Sequence, residues 1–274
     1  MEIQNVLGLA TRELKDLDNP KLEAEVLLCE VLHCNRIFLK TNSHKKISWW
    51  QYFLNKFFVQ QRKKRIPLAY ILGYKNWAGF RIKVNKNVLI PRDETEILVQ
   101  KICSIKRDFK IESILDIGTG SGNIAIFLAK KFPEVSIYLL DKSSKALKVA
   151  KYNIQNLEIK NNKFIKSDLL SKISLNSSFN IITANLPYVP EEIEVSPEVE
   201  KEPRGAIFAG RDGLGLIREL AVQIKDKQIV FNELWLEFLP LQKEEISQIF
   251  SDYEIEFFED LNEETRFSRI FRGC

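Results

Sequence analysis

Two short stretches of the 274-residue chain concentrate residue types able to do chemistry, DIGTGSG at 116–122 and TANLPYVP at 183–190. In the second, the apolar run FNII leads into Asn185, Leu186, Pro187 and Tyr188, a succession that neither continues a strand nor makes the commonest tight turn. An asparagine carbonyl and a backbone carbonyl positioned by proline can together accept both hydrogens of a planar NH₂ group, and a tyrosine ring can stack on that plane. Such a nitrogen is a weak nucleophile because its lone pair is delocalised. A site helps by fixing which face of it meets an electrophilic carbon. Once methylated, the nitrogen is acidic and sheds its proton readily, so no histidine is needed nearby. The motif therefore reads as a clamp for methyl transfer to a planar NH₂, with Asn185, Pro187 and Tyr188 as catalytic residues and Leu186 beside them as a substrate contact. Adenine, cytosine and side-chain amides all fit that description.

DIGTGSG places Gly118, Gly120 and Gly122 where an apolar run gives way to a helical pattern, with Thr119 and Ser121 between them. Glycine there permits positive φ and close approach of the backbone to a ligand. A dinucleotide loop looks similar, but the spacing is GxGxG rather than GxGxxG, and Asp116 precedes it. A carboxylate repels a pyrophosphate, whereas S-adenosyl-L-methionine carries no phosphate and offers a sulfonium and an ammonium. That molecule is the expected cofactor. Asp141 ends the next apolar run, IYLLD, near the ~20-residue offset at which an acidic side chain meets ribose hydroxyls. Capping the helix at SSKALK is its alternative use, which Ser143 or Ser144 can serve instead. Asp168 and Leu169 end a third run, the carboxylate placed to accept from adenine's amine and the leucine to pack on the ring. With Asn185 these residues share one rim, because open α/β sheets bind ligands outside the carboxyl ends of their strands.

The elements that must position them follow from periodicity. Residues 1 to about 66 read as helices, with Asn19-Pro20 supplying a cap and a first-turn proline. In the third of these, Trp50, Phe53, Leu54, Phe57 and Phe58 form a stripe expected to be core. Beyond Pro67, FRIKV alternates, NKN turns and VLI is apolar, which predicts a hairpin. From about 110 strands and helices alternate: SILDIG, NIAIFLAKKF, VSIYLLD, SKALKVAKYNIQN, KFIKSD and FNIITA. This is the pattern of a parallel sheet covered by helices, and it resumes after a loop at 185–211. The expected domains are a helical 1–70, a hairpin connector 71–95 and a catalytic 96–274.

Composition excludes other classes. At 45% hydrophobic and 28% charged with a net charge of +4, the chain has core to spare and no basic stripe. The one basic run, QQRKKR at 60–65, closes a helical pattern and complements its dipole, a surface for an acidic partner being the other reading. Cys29, Cys34, Cys103 and Cys274 form no CxxC pair and there are two histidines, so no metal site is expected. No apolar stretch approaches the ~20 residues that span a bilayer, and the N-terminus is unlike a targeting peptide. A cytoplasmic protein is the expectation.

Two further stretches join these motifs into a resemblance that covers nearly the whole chain. RIPLAYILGYKNWAGFRIKVNKNVLIPRDETEILV at 65–99, with Ile90, Pro91, Arg92, Glu94, Thr95 and Glu96, is similar to the signature of the HemK/PrmC enzymes. DIGTGSG, NLPY and EVEKEPRGAIFAGRDGLGLIREL follow in the family's order. The resemblance implies a class I S-adenosylmethionine-dependent methyltransferase: an α/β, Rossmann-like, mostly parallel seven-stranded sheet with a small N-terminal helical domain. It implies methylation of the side-chain amide nitrogen, N5, of the glutamine at the Gly-Gly-Gln tip of class 1 peptide chain release factors, without metal, membrane or nucleic acid. Gly118 to Gly122, Asp141, Asp168 and Leu169 map to the cofactor pocket and Asn185 to Tyr188 to the amide clamp. Arg92 and Glu94 map either to the site or to a pair pinning the hairpin. The family usually has Asn-Pro-Pro-Tyr, whereas this chain has Leu186. Asn-Leu-Pro-Tyr also resembles the motif of adenine methyltransferases of ribosomal RNA, which makes adenine N6 of RNA or DNA the alternative acceptor.

Overall fold

The computed structural model describes residues 1–272. Gly273 and Cys274, the end of the expected catalytic domain, lie outside the described residues. The chain forms two compact units, one of residues 1–74 with 196–201, the other of 75–195 with 202 onward. The short segment 196–201, expected within 96–274, thus groups with the N-terminal unit.

The N-terminal unit holds α1 (Ile3–Glu13), α2 (Pro20–Leu32), α3 (Arg36–Thr41), α4 (Trp49–Lys63) and α5 (Leu68–Leu72). Pro20 opens α2 where its missing N–H costs nothing. Ser48 and Gln51 close a reciprocal capping box at the start of α4. Ala10, Leu14, Leu17, Ala24, Leu27 and Val59 pack as one core. The aromatic stripe of α4 corrects the sequence reading: Trp50 is 86% exposed, Phe53 55%, Leu54 45% and Phe57 57%, while Phe58 is half-buried. The buried face of α4 is instead Asn55, Val59 and Arg62. Arg62 forms a fork with Glu23 at 2.8 and 2.9 Å and reaches Glu198 at 2.8 Å, and Arg65 also meets Glu198 at 3.2 Å. Two arginines of the basic run are therefore spent inside this unit, and their pairing turns the stripe outward.

The hairpin that begins the second unit, from Lys75, is β1 (Tyr74–Trp77) and β2 (Phe80–Lys83). Its turn is Ala78-Gly79, with φ of 47° and 81°, and two positive φ values suit the twist of a two-residue connection. This corrects the register expected from the sequence. Residues 88–90 form no strand, because Asn85 closes a turn onto Val88 and the N–H of Ile90 donates to Glu202 at 2.8 Å.

The sheet and its helices follow as α6 (Glu94–Ser104), β3 (Ser113–Ile117), α7 (Asn123–Lys131), β4 (Ser136–Asp141), α8 (Ser144–Asn156), β5 (Asn162–Lys166), β6 (Ser178–Ala184), α9 (Gly215–Asp226), β7 (Val230–Glu237), α10 (Lys243–Ile249), β8 (Glu254–Glu259) and β9 (Thr265–Phe271). Strand order is β5-β4-β3-β6-β7-β9-β8. β5 to β7 run parallel, and β9 is antiparallel to both β7 and β8. Helices on both faces explain why β3, β4 and β6 are nearly continuous apolar runs. The order reverses between β3 and β6, the point at which such sheets open a crevice at their carboxyl ends.

Candidate active site

A cavity of about 680 Å³ opens at that crevice, within the second unit. Its floor is the loop from β3 into α7. Gly118 has φ of 70°, and a Cβ there would lie 3.1 Å from Leu186 Cδ2. The glycine is thus required by the close approach of the next loop as well as by its backbone. Gly122, at φ 82°, packs on Ala150 instead. Asn153, buried on α8, donates to the carbonyls of Ser121 (2.8 Å) and Lys83 (3.0 Å) and accepts from the N–H of Lys83, which ties the hairpin to the glycine loop.

Asp141 ends β4 beside this floor. One carboxylate oxygen accepts from the N–H of Gly120 at 3.0 Å and the other from Ser143 at 2.8 Å. A carboxylate has about four acceptor positions, so each oxygen keeps one for a ligand. Burial raises its pKa, partly offset by those two N–H groups. Ser143 caps α8 through its own hydroxyl, so the cap does not need Asp141. Asp168 lines the cavity and pairs with Lys142 at 2.6 Å. Both side chains are substantially exposed, which makes the pair weak. Leu169 is buried on the wall with φ of 45°, its carbonyl accepting from the Ser167 hydroxyl at 2.7 Å.

Asp116 differs from the sequence reading, which set it against the ligand's positive charge. It is buried beneath the loop and does not line the cavity. It accepts from the hydroxyls of Thr119 (2.6 Å) and Thr183 (2.7 Å), and burial pushes its pKa up to about 6. Its work is to hold the glycine loop onto β6.

The loop after β6 supplies Asn185, Leu186 and Pro187 to the cavity wall. The amide nitrogen of Asn185 donates to Glu237 Oε2 at 2.9 Å and to the Thr95 hydroxyl at 3.2 Å, and Thr95 donates to the same Glu237 oxygen at 2.8 Å. A carboxylate is an acceptor, so the opposite flip would set two oxygens together. The amide is oriented with its carbonyl as the end offered to a ligand. Tyr188 does not line the cavity; its hydroxyl donates to Glu237 Oε1 at 2.9 Å. Burial and then Glu237 push the phenol well above its ordinary value. Thus the structure gathers Gly118 to Ser121, Asp141, Asp168, Leu169 and Asn185 to Pro187 around one cavity, with Gly122 and Tyr188 just behind it.

Glu237 and Glu202 have no role in the sequence reading, which names Thr95 only as part of the 65–99 signature. Glu237 carries the signal that found Asp141, a lone carboxylate ending the apolar run LWLE. Arg92 pairs with Glu202 at 2.7 Å rather than with Glu94, and the other oxygen of Glu202 takes the N–H of Ile90. The two cations on the cavity wall, Arg92 and Lys142, are each held by a carboxylate. That leaves no free cation on the wall, among the described residues, to meet a pyrophosphate. With both cations already paired and the Asp141 carboxylate on the wall, the lining suits a ligand without phosphates, as S-adenosylmethionine is.

Among the described residues no group of three or more His, Cys, Asp and Glu is placed to hold a metal. No described helix is long and apolar enough to cross a membrane.

A family profile described as "Methyltransferase domain" matches residues 108–254, and one described as "PrmC N-terminal domain" matches residues 5–73. The release factor glutamine methyltransferase of Buchnera aphidicola subsp. Schizaphis graminum is 40% identical over 239 residues, 86% of this chain and 85% of that protein. The protein of the same name from Rhodopirellula baltica is 36% identical over 214 residues, 75% of this chain and 72% of that protein. Among solved structures, ribosomal protein L11 methylase from Lactobacillus delbrueckii subsp. bulgaricus matches with a TM-score of 0.51 at 19% identity, over 70% of this chain and 86% of that one. The last likeness is one of fold.

Proposed function

The chain belongs to the family of release factor glutamine methyltransferases, and on that premise we propose that it methylates the side-chain amide nitrogen N5 of the glutamine in the Gly-Gly-Gln tip of class 1 peptide chain release factors. S-adenosylmethionine, when bound, supplies a methyl carbon made electrophilic by the adjoining sulfonium. Asp141 takes the ribose hydroxyls, Leu169 packs on the adenine, and Asp168 accepts from its amine. The glycine loop, freed of side chains, lets its backbone approach the cofactor.

At the acceptor end, the Asn185 carbonyl takes one hydrogen of the glutamine NH₂ and a backbone carbonyl at Leu186 or Pro187 takes the other. The nitrogen then presents a face, rather than an edge, to the methyl carbon. Orientation of this kind is the main assistance a delocalised nitrogen needs, and its proton leaves without a dedicated base. Tyr188 supports the clamp from behind through its hydroxyl bond to Glu237. The reaction is assigned to the cytoplasm, where translation is terminated. Nothing in the relatives' names points to adenine in nucleic acid as the acceptor.

The observation that carries this reading is the amide of Asn185, its nitrogen consumed by Thr95 and Glu237 so that its carbonyl faces outward. The test is mass spectrometry of a release factor incubated with the enzyme and isotopically labelled cofactor. One methyl group should appear on the tip glutamine, vanish when that glutamine is replaced, and vanish with Asn185→Ala while cofactor still binds. Label on another residue, or an undiminished rate in Asn185→Ala, would refute the assignment.

A further inference from the structure

Glu237 ends β7, fully buried, and its carboxylate is shared by three groups from two other places in the chain. Thr95, on α6, lies 142 positions away in sequence and donates to Oε2 at 2.8 Å. Asn185 donates to the same oxygen at 2.9 Å. Tyr188 donates to Oε1 at 2.9 Å. Each of these donors is neutral. Burying a carboxylate whose direct partners are neutral is expensive, and burial raises its pKa even with the charge of Arg266 acting the other way. A structural filler at the end of β7 could be an apolar residue at lower cost, so the charge must decide something that an apolar side chain cannot.

What it decides is the flip of one amide. Asn185 can present either its oxygen or its nitrogen to the cavity, and the two choices are nearly isosteric. Only the first accepts a hydrogen from an NH₂ group. Thr95 adds to the bias, since a hydroxyl that spends its hydrogen on Glu237 can only accept from Asn185. Tyr188, bonded to the second oxygen, is locked to the same anchor, so the carboxylate spans both ends of the Asn-Leu-Pro-Tyr loop. We infer that Glu237 is a positioning residue for methyl transfer: through Thr95 and Asn185 it holds the clamp in the orientation that admits an amide NH₂. This rests on the methyl-transfer reading of the site and not on which protein carries the glutamine.

Glu237→Leu removes the acceptor at similar volume, and Glu237→Gln keeps an amide oxygen available to Asn185 and Thr95. Charged hydrogen bonds of this kind are worth about tenfold to a hundredfold in rate when lost. In transfer to a release factor, Glu237→Leu is expected to lower kcat about a hundredfold, with KM for the factor and Kd for the cofactor held within about threefold. Glu237→Gln should restore kcat to within about tenfold of the parent. A Glu237→Leu enzyme with unchanged kcat, or one whose cofactor affinity falls in step with kcat, overturns the inference. Should Glu237→Leu fail to fold, Thr95→Val deletes only the bridging hydroxyl, and its kcat should fall about tenfold; an unchanged value overturns the inference equally. A readout independent of any substrate is the side-chain ¹⁵N–¹H pair of Asn185, assigned by its loss in Asn185→Ala. It should shift in Glu237→Leu and stay near its place in Glu237→Gln. No shift in Glu237→Leu overturns the inference, whereas a parent enzyme that fails to label the factor while the pair shifts as expected refutes only the choice of substrate.

Discussion

Gly213 should be the glycine whose replacement by alanine damages catalysis most while leaving the cofactor pocket intact. It has φ of +76°, and an added Cβ would sit 2.0 Å from the carbonyl oxygen of Tyr188 and 2.7 Å from both the Tyr188 carbonyl carbon and Gln242 Nε2. Ordinary contact begins near 3.4 Å, so the loop must retreat by about 1.4 Å. The retreat also breaks the amide of Gln242 away from the carbonyls of Tyr188 and Asp212, which it bridges at 2.9 Å each. Holding the native pose would cost about 1–3 kcal/mol for the left-handed backbone and about 1–3 for overpacking, with about 1 more for the lost hydrogen bond. The sum exceeds what moving a loop costs, so the loop moves. Tyr188 is three residues from Asn185, and a displacement of about 1 Å in a positioning group can cost about a hundredfold in kcat. The assay pairs kcat for methyl transfer with cofactor affinity by calorimetry and with thermal melting. Gly79→Ala is the control: its φ is +81°, but nothing lies within 4 Å of the added Cβ. That variant should lose about 1 kcal/mol of stability and no rate. If Gly213→Ala tracks Gly79→Ala in both rate and melting, the claim that this glycine sets the clamp is wrong.

Asp141→Asn should weaken cofactor binding about tenfold to a hundredfold, because charge-assisted bonds to hydroxyls are lost and the single amide oxygen can serve only one of the N–H groups of Gly120 and Ser143; calorimetry that finds an unchanged Kd would remove Asp141 from the pocket. Asp116 titrates near 6 in the folded chain against an ordinary carboxylate value of 3.8. A carboxyl whose folded pKa is raised contributes stability that is full below its unfolded pKa and is lost as pH rises through the folded one. Relative to Asp116→Asn, the parent should therefore lose stability on going from about pH 4 to about pH 6, by a few kcal/mol at most; parallel melting curves for the two across that window would contradict the burial argument.

The glycine loop, the strand-end acids and the parallel sheet were all legible because each is encoded locally. A carboxylate or an amide that interrupts an apolar run at the carboxyl end of a strand has few structural uses, and three such groups, Asp141, Asp168 and Asn185, converge on one rim. The hairpin was misplaced because Ala78 takes a positive φ that alanine rarely adopts, so the turn at Ala78-Gly79 lacks the usual Asn-Gly signature. The stripe of α4 was misread for a different reason. Periodicity states that a face is apolar, not that another element covers it, and in α4 the ion pairs of Arg62 claimed the inward side. Glu237 interrupts an apolar run just as Asp141 does, but its role, like that of Thr95, exists only once α6 and β7 bring the two side chains together.

Leucine at 186, where the family usually has proline, is a packing residue. Asn185 and Pro187 flank it on the cavity wall, but Leu186 itself is buried, joined to the core of the sheet, with its side chain laid over Gly118. The clamp and the cofactor floor are thus in direct contact through this one side chain. A proline in its place would reach less far over Gly118 while fixing φ of the loop more firmly. The leucine exchanges backbone stiffness for contact area, and the stiffness is recovered elsewhere: Glu237 pins Asn185 and Tyr188 on either side, and Gln242 donates to the Tyr188 carbonyl. With these two anchors outside the tetrapeptide, position 186 need not be proline for the amide of Asn185 to hold its orientation. Its side chain, laid over Gly118, meets the glycine loop, so a change at 186 is expected to act on that contact before it acts on the amide of Asn185.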